Sequence, residues 1–169
     1  MDNRRFYYLA EGECEEKLLK ALKVKPALIH PGKVENFNVI QRTLKPNKLM
    51  GFQPGSSVVL VFDTDKEETA ILKKNVELLN SLSFRVEVIT IAQVLSFEDE
   101  IEYCTDVGKA QEFTRSENVS EFKSAVNRMK EVEFRLALKR HKFDVSKLWT
   151  KKPPKAFSFV EQQGDQVKE

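Results

Sequence analysis

The chain has 169 residues, of which 41% are hydrophobic and 32% are charged, and its formal net charge is +2. This size suits one domain with a small extension, and the balance is that of a globular protein, not of a disordered or fibrous one. The two cysteines lack a CxxC spacing, and neither a basic-apolar leader nor an apolar run of membrane-spanning length occurs. We therefore expect a cytoplasmic protein with free thiols and no membrane contact.

Four apolar runs predict β-strands, at residues 6–10, 27–30, 58–62 and 86–91. The intervening stretches have helical periodicity, which predicts helices over residues 13–23 and 67–82 and a short one over 34–44. Strands that alternate with helices indicate an α/β fold with a mainly parallel, four-stranded sheet flanked by helices.

The last third of the chain predicts helices followed by a tail. Ser96 and Asp99 are typical of a helix start, and Asn118 with Glu121 predicts a capping box for a long helix whose apolar stripe reaches Leu136. Two prolines follow Lys151, so the tail is expected to leave the fold, with its end frayed. We expect an α/β domain in residues 1–105, a helical extension packed on it in 106–150, and a basic, partly flexible tail in 151–169.

Carboxylates follow two of the predicted strands. Glu11 follows the first strand, with Gly12 and Glu15 after it, whereas Asp63 and Asp65 follow the third. Ligands of open α/β sheets bind at the carboxyl ends of the strands, so these acids are expected to converge on one crevice. Crowded carboxylates repel one another unless a divalent cation such as Mg²⁺ neutralises them. The pattern therefore predicts a magnesium site suited to phosphoryl chemistry.

Helix capping is the competing interpretation of the same acids. Asp65 and Glu68 fit a capping box, and Glu15 lies in a first helical turn, where the helix dipole favours acids. Capping does not account for Glu11 and Asp63, because each directly follows an apolar strand, where burial of a charge is costly. The metal hypothesis therefore depends on these two residues.

Both motifs resemble those of the Toprim domain, which primases, topoisomerases and several nucleases share. The Toprim signature is a strand ending in Glu-Gly, often with another acid three residues after the glycine, and a later strand ending in Asp-x-Asp. The matching residues here are Glu11, Gly12 and Glu15, and then Asp63 and Asp65. The resemblance covers roughly residues 4–105 and implies Mg²⁺ or Mn²⁺ and phosphodiester chemistry. Glu11, Asp63 and Asp65 would be catalytic, and they and Glu15 would be metal ligands.

Two further features bear on the branch of that family. Many Toprim proteins place a further acid and a glycine just beyond the Asp-x-Asp motif, whereas Lys66, Glu67 and Glu68 follow it here, which looks more like the nuclease branches. A topoisomerase or a primase would also need additional domains. The segment 95–104 is similar to a Phe-Glu motif of RloB-like and overcoming-lysogenization-defect nucleases. That similarity implies that Glu98 is another metal ligand, with the acidic first turn of a helix as the alternative interpretation.

Basic residues concentrate between Arg135 and Lys155, a range that contains eight Lys or Arg residues and a single acid, Asp144. Phe143 and Trp149 lie among them, a mixture that suits contacts with single-stranded or looped RNA. The alternative is a solvated helix face, with Trp149 anchoring the tail to the core, or a surface that docks a partner. The predicted nucleic-acid-binding residues are Lys109, Lys139, Arg140, Lys142, Lys147, Lys151 and Lys152.

The resulting hypothesis is a metal-dependent endonuclease that cleaves RNA, such as tRNA, or DNA. The resemblance further implies a role in antiviral defence and an ATPase partner. The alternative is a non-catalytic Toprim-like module that binds nucleic acid or a partner ATPase through the basic C-terminal region. The oligomeric state and the number of metal ions are left open.

Overall fold

The computed structural model describes residues 4–169, so residues 1–3 of the predicted first domain lie outside the described residues. The chain forms a four-stranded, fully parallel sheet, which confirms the predicted α/β architecture. The strands are β1 (Phe6–Ala10), β2 (Gly32–Asn36), β3 (Ser57–Asp63) and β4 (Glu87–Gln93). Their spatial order is β2-β1-β3-β4, so β1 and β3 are the central pair.

Helices cover both faces of the sheet. The α-helices are α1 (Glu13–Leu22), α2 (Pro46–Leu49), α3 (Ala70–Asn80), α4 (Phe97–Cys104), α5 (Val119–Arg128) and α6 (Glu131–Arg140). Short 3₁₀ helices occur at Ala110–Thr114, Lys155–Phe157 and Gly164–Val167. Within residues 4–169, no helix combines the length and apolar character needed to cross a membrane.

The two faces of the sheet bury separate hydrophobic clusters because side chains alternate along each strand. Val59 and Val61 of β3 pack on the side of α1, α4, α5 and α6, whereas Val58, Leu60 and Phe62 pack on the side of α3. Each such buried side chain contributes about 1.5–3 kcal/mol of hydrophobic free energy. Burial on both faces explains why residues 58–62 of β3 are all apolar.

The second strand is not where the apolar pattern predicted it. Residues 27–30 form no strand of the sheet, and Ile29 instead makes an isolated antiparallel bridge with Lys168. The actual strand β2 is the polar segment Gly32–Asn36, which lies at the sheet edge and pairs only with β1. An edge strand needs little apolar surface, so its pattern is weak. The short helix predicted over 34–44 is also wrong, because the first residues of that range belong to β2.

The long helix predicted after Asn118 is two helices. Asn118 is its cap as expected, because its Oδ1 accepts a hydrogen bond from Glu121 N at 2.9 Å. The chain then leaves the helical conformation at Met129 and Lys130, whose ψ angles are 143° and 156°. The carboxylate of Glu133 accepts a bond from Lys130 N at 2.8 Å and begins α6. Both helices pack against α1.

Residues 151–169 pack on the fold and do not leave it, contrary to the prediction of a free tail. Gln163 N donates to Thr90 O at 3.1 Å, and Thr90 N donates to Gln163 Oε1 at 2.8 Å. The amide of Gln162 bonds to both backbone groups of Ala92. The segment therefore supplies hydrogen-bond partners to backbone groups of β4 that would otherwise be unpaired at the edge of the sheet. Polar composition and prolines conceal this role in the sequence.

Candidate functional site

Glu11 and Asp63 meet where the two central strands end. Ala10 pairs with Val61 in neighbouring strands, and Glu11 and Asp63 lie one and two residues beyond this pair, so both emerge at the same edge of the sheet. Glu11 Oε2 accepts a hydrogen bond from Asp63 N at 2.7 Å. The two half-buried carboxylates thus lie at one sheet edge, as the parallel topology requires.

Glu15 joins this edge from the first turn of α1. Its side chain is only 6% exposed, and its carboxylate lies so close to Gly12 that a Cβ there would sit 2.7 Å from Glu15 Oε2. The φ of Gly12 is −142°, an extended conformation open to any residue. A Cβ at this position would therefore displace the Glu15 carboxylate, so glycine is favoured by that close approach and not by the backbone conformation.

Gln93 links the acids from β4, and sequence reasoning missed it. Its Nε2 donates to Asp63 Oδ1 at 2.8 Å and to Glu15 Oε1 at 3.3 Å. The side chain is fully buried, and its Oε1 has no hydrogen-bond partner among the described residues. An orphaned buried oxygen is costly and calls for an explanation such as a bound ion. The signal in the sequence was a polar residue at the end of an apolar strand.

The pKa values of these acids are raised. Burial, followed by the nearby charge of Glu15, raises the pKa of Asp63 to about 8. Burial and the charge of Glu11 raise the pKa of Glu15 to about 7. Burial also raises the pKa of Glu11. Ionisation of these acids is therefore costly in the absence of a counter-charge, and a bound cation would lower that cost.

Asp65 lies two residues beyond Asp63 in an exposed turn. Its charge contributes to the raised pKa of Glu11, so it belongs to the same acidic edge. The capping interpretation of this residue is wrong, because α3 begins only at Ala70, after Thr69. Asp65 therefore has no helix-capping role that would account for its position.

Glu98 approaches the same acids from the first turn of α4. The capping box of that helix is formed by Ser96 and Asp99, so Glu98 is not needed as a cap. Its Oε1 forms an ion pair with Lys123 Nζ at 2.7 Å, whereas its buried Oε2 lacks a hydrogen-bond partner within residues 4–169. The charge of Glu98 contributes to the raised pKa of Glu15.

Lys123 of α5 is a second residue that sequence reasoning missed. Burial lowers its pKa, but the ion pair with Glu98 outweighs that effect and the pKa is raised overall. Asp63 contributes to the same rise, which places the ammonium within electrostatic reach of the strand exits. The helical extension thus supplies positive charge to an edge that is otherwise acidic.

The donor chemistry of the edge fits a hard divalent cation, although the side chains are not gathered around a metal position. Within residues 4–169, no three or more His, Cys, Asp or Glu side chains form a group that could hold a metal ion as they lie. The available donors are the carboxylates of Glu11, Glu15, Asp63 and Asp65 and the unpartnered oxygen of Gln93. Oxygen ligands of this kind suit Mg²⁺ or Mn²⁺, and the raised pKa values indicate that the ionised acids are poorly solvated at this edge.

The predicted basic residues lie elsewhere. Asp106 N donates to His141 O at 3.0 Å and Asp144 N donates to Cys104 O at 2.8 Å, so the segment around Lys142 packs at the carboxyl end of α4. That helix starts at the acidic edge and has eight residues, which separates its two ends by about 12 Å. The exposed residues near this far end are Lys139, Arg140, Lys142 and Lys147. Lys109 and Lys152 are also exposed, and among residues 4–169 neither side chain forms a hydrogen bond or ion pair with the acidic edge.

Lys151 and Trp149 have structural roles that do not fit the predicted nucleic-acid contacts. Lys151 Nζ donates to Val94 O and lies 3.4 Å from Oε1 of the fully buried Glu100. Trp149 is 1% exposed, so its ring cannot stack on a base. Both side chains anchor the C-terminal segment to the core, which was the alternative interpretation of Trp149.

The acidic edge therefore combines side chains from the ends of β1, β3 and β4 with Glu15, Glu98 and Lys123 from three helices. Comparison with known proteins finds no family model, no curated protein and no solved structure that matches the chain. The function must accordingly be inferred from the chemistry of this edge.

Proposed function

We propose that this protein is a metal-dependent endonuclease that hydrolyses phosphodiester bonds of RNA or DNA. The observation that carries the proposal is the contact between Glu11 and Asp63 at the exits of the two central strands. Both carboxylates have raised pKa values because they are partly removed from water. Perturbed acids of this kind concentrate at functional sites.

The cation would be held by Glu11, Asp63 and Asp65, with Glu15 and Glu98 beside them. When bound, Mg²⁺ or Mn²⁺ polarises the phosphate and lowers the pKa of an attacking water. Glu11 has one oxygen engaged by Asp63 N, whereas within residues 4–169 its Oε1 has only a long contact of 3.4 Å with Asn38 Nδ2. That second oxygen is free to bind the ion or to accept a proton from water.

The other side chains at the edge orient these acids. Gln93 holds Glu15 and Asp63 in fixed positions through one amide nitrogen. Lys123 can meet a phosphate oxygen through the ammonium that now pairs with Glu98. Positive charge at this place would offset repulsion between the acids and the incoming phosphodiester.

The resemblance of the Glu-Gly and Asp-x-Asp motifs to small Toprim nucleases supports the same reaction class. On that resemblance we extend the proposal to a cytoplasmic effector of antiviral defence, with tRNA among its substrates and an ATPase as its partner. A non-catalytic binding module is the second candidate function. It is favoured by the exposed cations Lys139, Arg140 and Lys142, which lie away from the acidic edge.

The decisive experiment incubates the protein with total RNA and with plasmid DNA in Mn²⁺, in Mg²⁺ and in EDTA. We expect cleavage only with metal, and loss of cleavage in Glu11→Gln and Asp63→Asn. Glu77→Gln is the matched control, because Glu77 is an exposed acid on α3 away from the strand exits. Circular dichroism verifies folding, and calorimetry with Mn²⁺ gives a readout that needs no substrate or partner.

Cleavage that survives both substitutions or persists in EDTA would overturn the proposal. Failure of the wild-type protein to bind Mn²⁺ would do the same. The binding-module alternative predicts instead that charge reversal at Arg140 and Lys142 weakens complex formation, while the acidic substitutions have little effect.

A further inference from the structure

A cavity of about 720 Å³ lies in the segment that follows β2. Side chains that line it include Phe37, Arg42, Thr43, Lys45, Asn47 and Lys48. Three of these are cations, two carry neutral hydrogen-bonding groups, and no acid among the described residues lines the cavity. This composition suits an anionic ligand with several oxygen acceptors.

Two of the cations are available to such a ligand. Lys48 forms an ion pair with Glu35 at 2.5 Å, but Arg42 and Lys45 are exposed and have no carboxylate partner among residues 4–169. The guanidinium of Arg42 lies 4.8 Å from the centre of the Phe37 ring. A cation–π contact of this kind holds the guanidinium in place while its N–H groups remain free to donate.

The loop that carries Arg42 is held in place by hydrogen bonds with the side chain of Asn75 of α3. This fully buried amide accepts a bond from Leu44 N at 2.8 Å and donates to Val39 O at 2.9 Å and Arg42 O at 2.8 Å. Three bonds from one buried side chain make the cavity wall a preorganised surface. Preorganisation lowers the entropic cost of binding.

The same loop touches the acidic edge. Phe37 N donates to Ala10 O at 2.8 Å, and Asn38 Nδ2 lies 3.4 Å from Glu11 Oε1. Asn38 Oδ1 accepts bonds from the backbone N–H groups of Ile40 and Gln41, which shape the turn leading to Arg42. Asn38 therefore connects the wall of the cavity to the candidate catalytic carboxylate.

We propose that this cavity binds the sugar-phosphate backbone of the strand that flanks the bond to be cleaved. The inference rests on the proposed function for the location of the cleaved bond, and it assigns substrate contact to Arg42 and Lys45. Contacts with phosphates position a strand without reading its sequence. The C-terminal cations are less suited to this task, because they lie at the end of α4 that is remote from Glu11.

The test measures binding of labelled single-stranded RNA and DNA oligonucleotides by fluorescence anisotropy in EDTA, where metal-dependent cleavage is absent. We compare the wild-type protein with the double variant Arg42→Ala/Lys45→Ala. The matched control is Arg140→Ala/Lys142→Ala, which removes the same charge from the far end of α4. All four side chains are exposed, so the variants are expected to fold, and circular dichroism verifies this.

We expect the Arg42→Ala/Lys45→Ala variant to lose affinity by about tenfold or more, since two charge-assisted contacts are removed. The slope of log affinity against log salt should shrink by about 1.4, at about 0.7 per phosphate contact on a single strand. The control should change neither quantity. Loss confined to the RNA or to the DNA arm would identify the preferred substrate.

The proposal is overturned if the cavity variant binds as tightly as the wild-type protein, if the control loses as much affinity, or if the wild-type protein binds neither oligonucleotide. Its failure is distinguishable from that of the proposed function, because binding in EDTA does not depend on the metal. If binding is lost only in the cavity variant and no form of the protein cleaves with metal, the binding role of the cavity stands and the nuclease proposal is rejected.

Discussion

Lys123 on α5 pairs with Glu98 on α4 at 2.7 Å, and this contact joins the helical extension to the acidic edge of the sheet. The pair has two consequences for a site that binds a cation. The ammonium lowers the negative potential around Glu15 and Asp63, and it occupies one oxygen of a candidate ligand. Lys123 is therefore placed to compete with a metal ion and to meet a phosphate.

Replacement of Lys123 by alanine should separate these two effects. We expect Mn²⁺ affinity to rise about three- to tenfold, because a competing positive charge is removed, while cleavage decreases. Titration calorimetry measures the first change and oligonucleotide cleavage the second. Lys139→Ala, an exposed lysine on α6, should alter neither. Weaker Mn²⁺ binding by Lys123→Ala would contradict competition and indicate that the ammonium positions Glu98.

The stability of the metal-free protein should fall as the pH rises. Asp63 and Glu15 have pKa values of about 8 and about 7 in the folded chain, whereas free carboxyls ionise near pH 4. Between about pH 4 and 8 the folded protein thus binds more protons than the unfolded one, so stability is lost with increasing pH. Thermal unfolding in EDTA across this range measures the effect.

Asp63→Asn should weaken that dependence, since an amide does not titrate, and the part due to Glu15 should remain. Glu77→Gln should preserve it, because Glu77 is exposed and lies away from the edge. A melting temperature of the wild-type protein that stayed constant or rose between pH 5 and 8 would show that the acids at the edge are not desolvated as the structure indicates.

The central strands and their acidic exits were predictable because their physical signals are local. β1 and β3 are apolar and buried, and the parallel topology brings Glu11 and Asp63 to one edge whenever both strands exist. β2 was missed because an edge strand buries little surface. Its polar sequence GKVEN carries no pattern that distinguishes it from a loop.

The partners of the acids were not predictable, because tertiary packing brings them from distant parts of the chain. Gln93 and Glu15 are 78 positions apart in the sequence. Lys123 lies on α5, and the periodicity of that helix does not show that it packs beside Glu98. The C-terminal segment was misjudged for a related reason. Its glutamine-rich sequence is typical of a disordered tail. The order of the segment depends on hydrogen bonds to the open edge of β4, which the sequence pattern does not reveal.

Gly12→Ala should weaken metal binding with little change in the fold. The added Cβ would lie 2.7 Å from Glu15 Oε2, so the carboxylate must move away from the strand exits. We expect a decrease of about tenfold in Mn²⁺ affinity by calorimetry if Glu15 is a ligand. Gly108→Ala is the matched control, since its Cβ would make only ordinary contact with Glu112 at 3.7 Å. Equal Mn²⁺ affinity of Gly12→Ala and wild type would remove Glu15 from the ligand set.

The ion pair of the buried Glu100 with the partly exposed Lys151 gives a prediction about stability. Glu100 is fully buried, and its oxygens accept bonds from the backbone N–H groups of Val94 and Trp149, both at 3.3 Å. Lys151→Ala leaves this carboxylate without its cation, which should cost about 3 kcal/mol of unfolding free energy. Urea denaturation measures the loss.

Two comparisons separate this structural role from the nucleic-acid contact that the sequence suggested. Lys152→Ala removes a neighbouring exposed lysine and should leave stability unchanged. Adding Glu100→Gln to Lys151→Ala should restore part of the loss, because the uncompensated charge is then absent. Under conditions in which Lys151→Ala is folded, it should bind oligonucleotides like the wild-type protein. A variant with normal stability but weakened binding would instead return Lys151 to the nucleic-acid surface, because its ammonium would then be available to phosphate and not committed to Glu100.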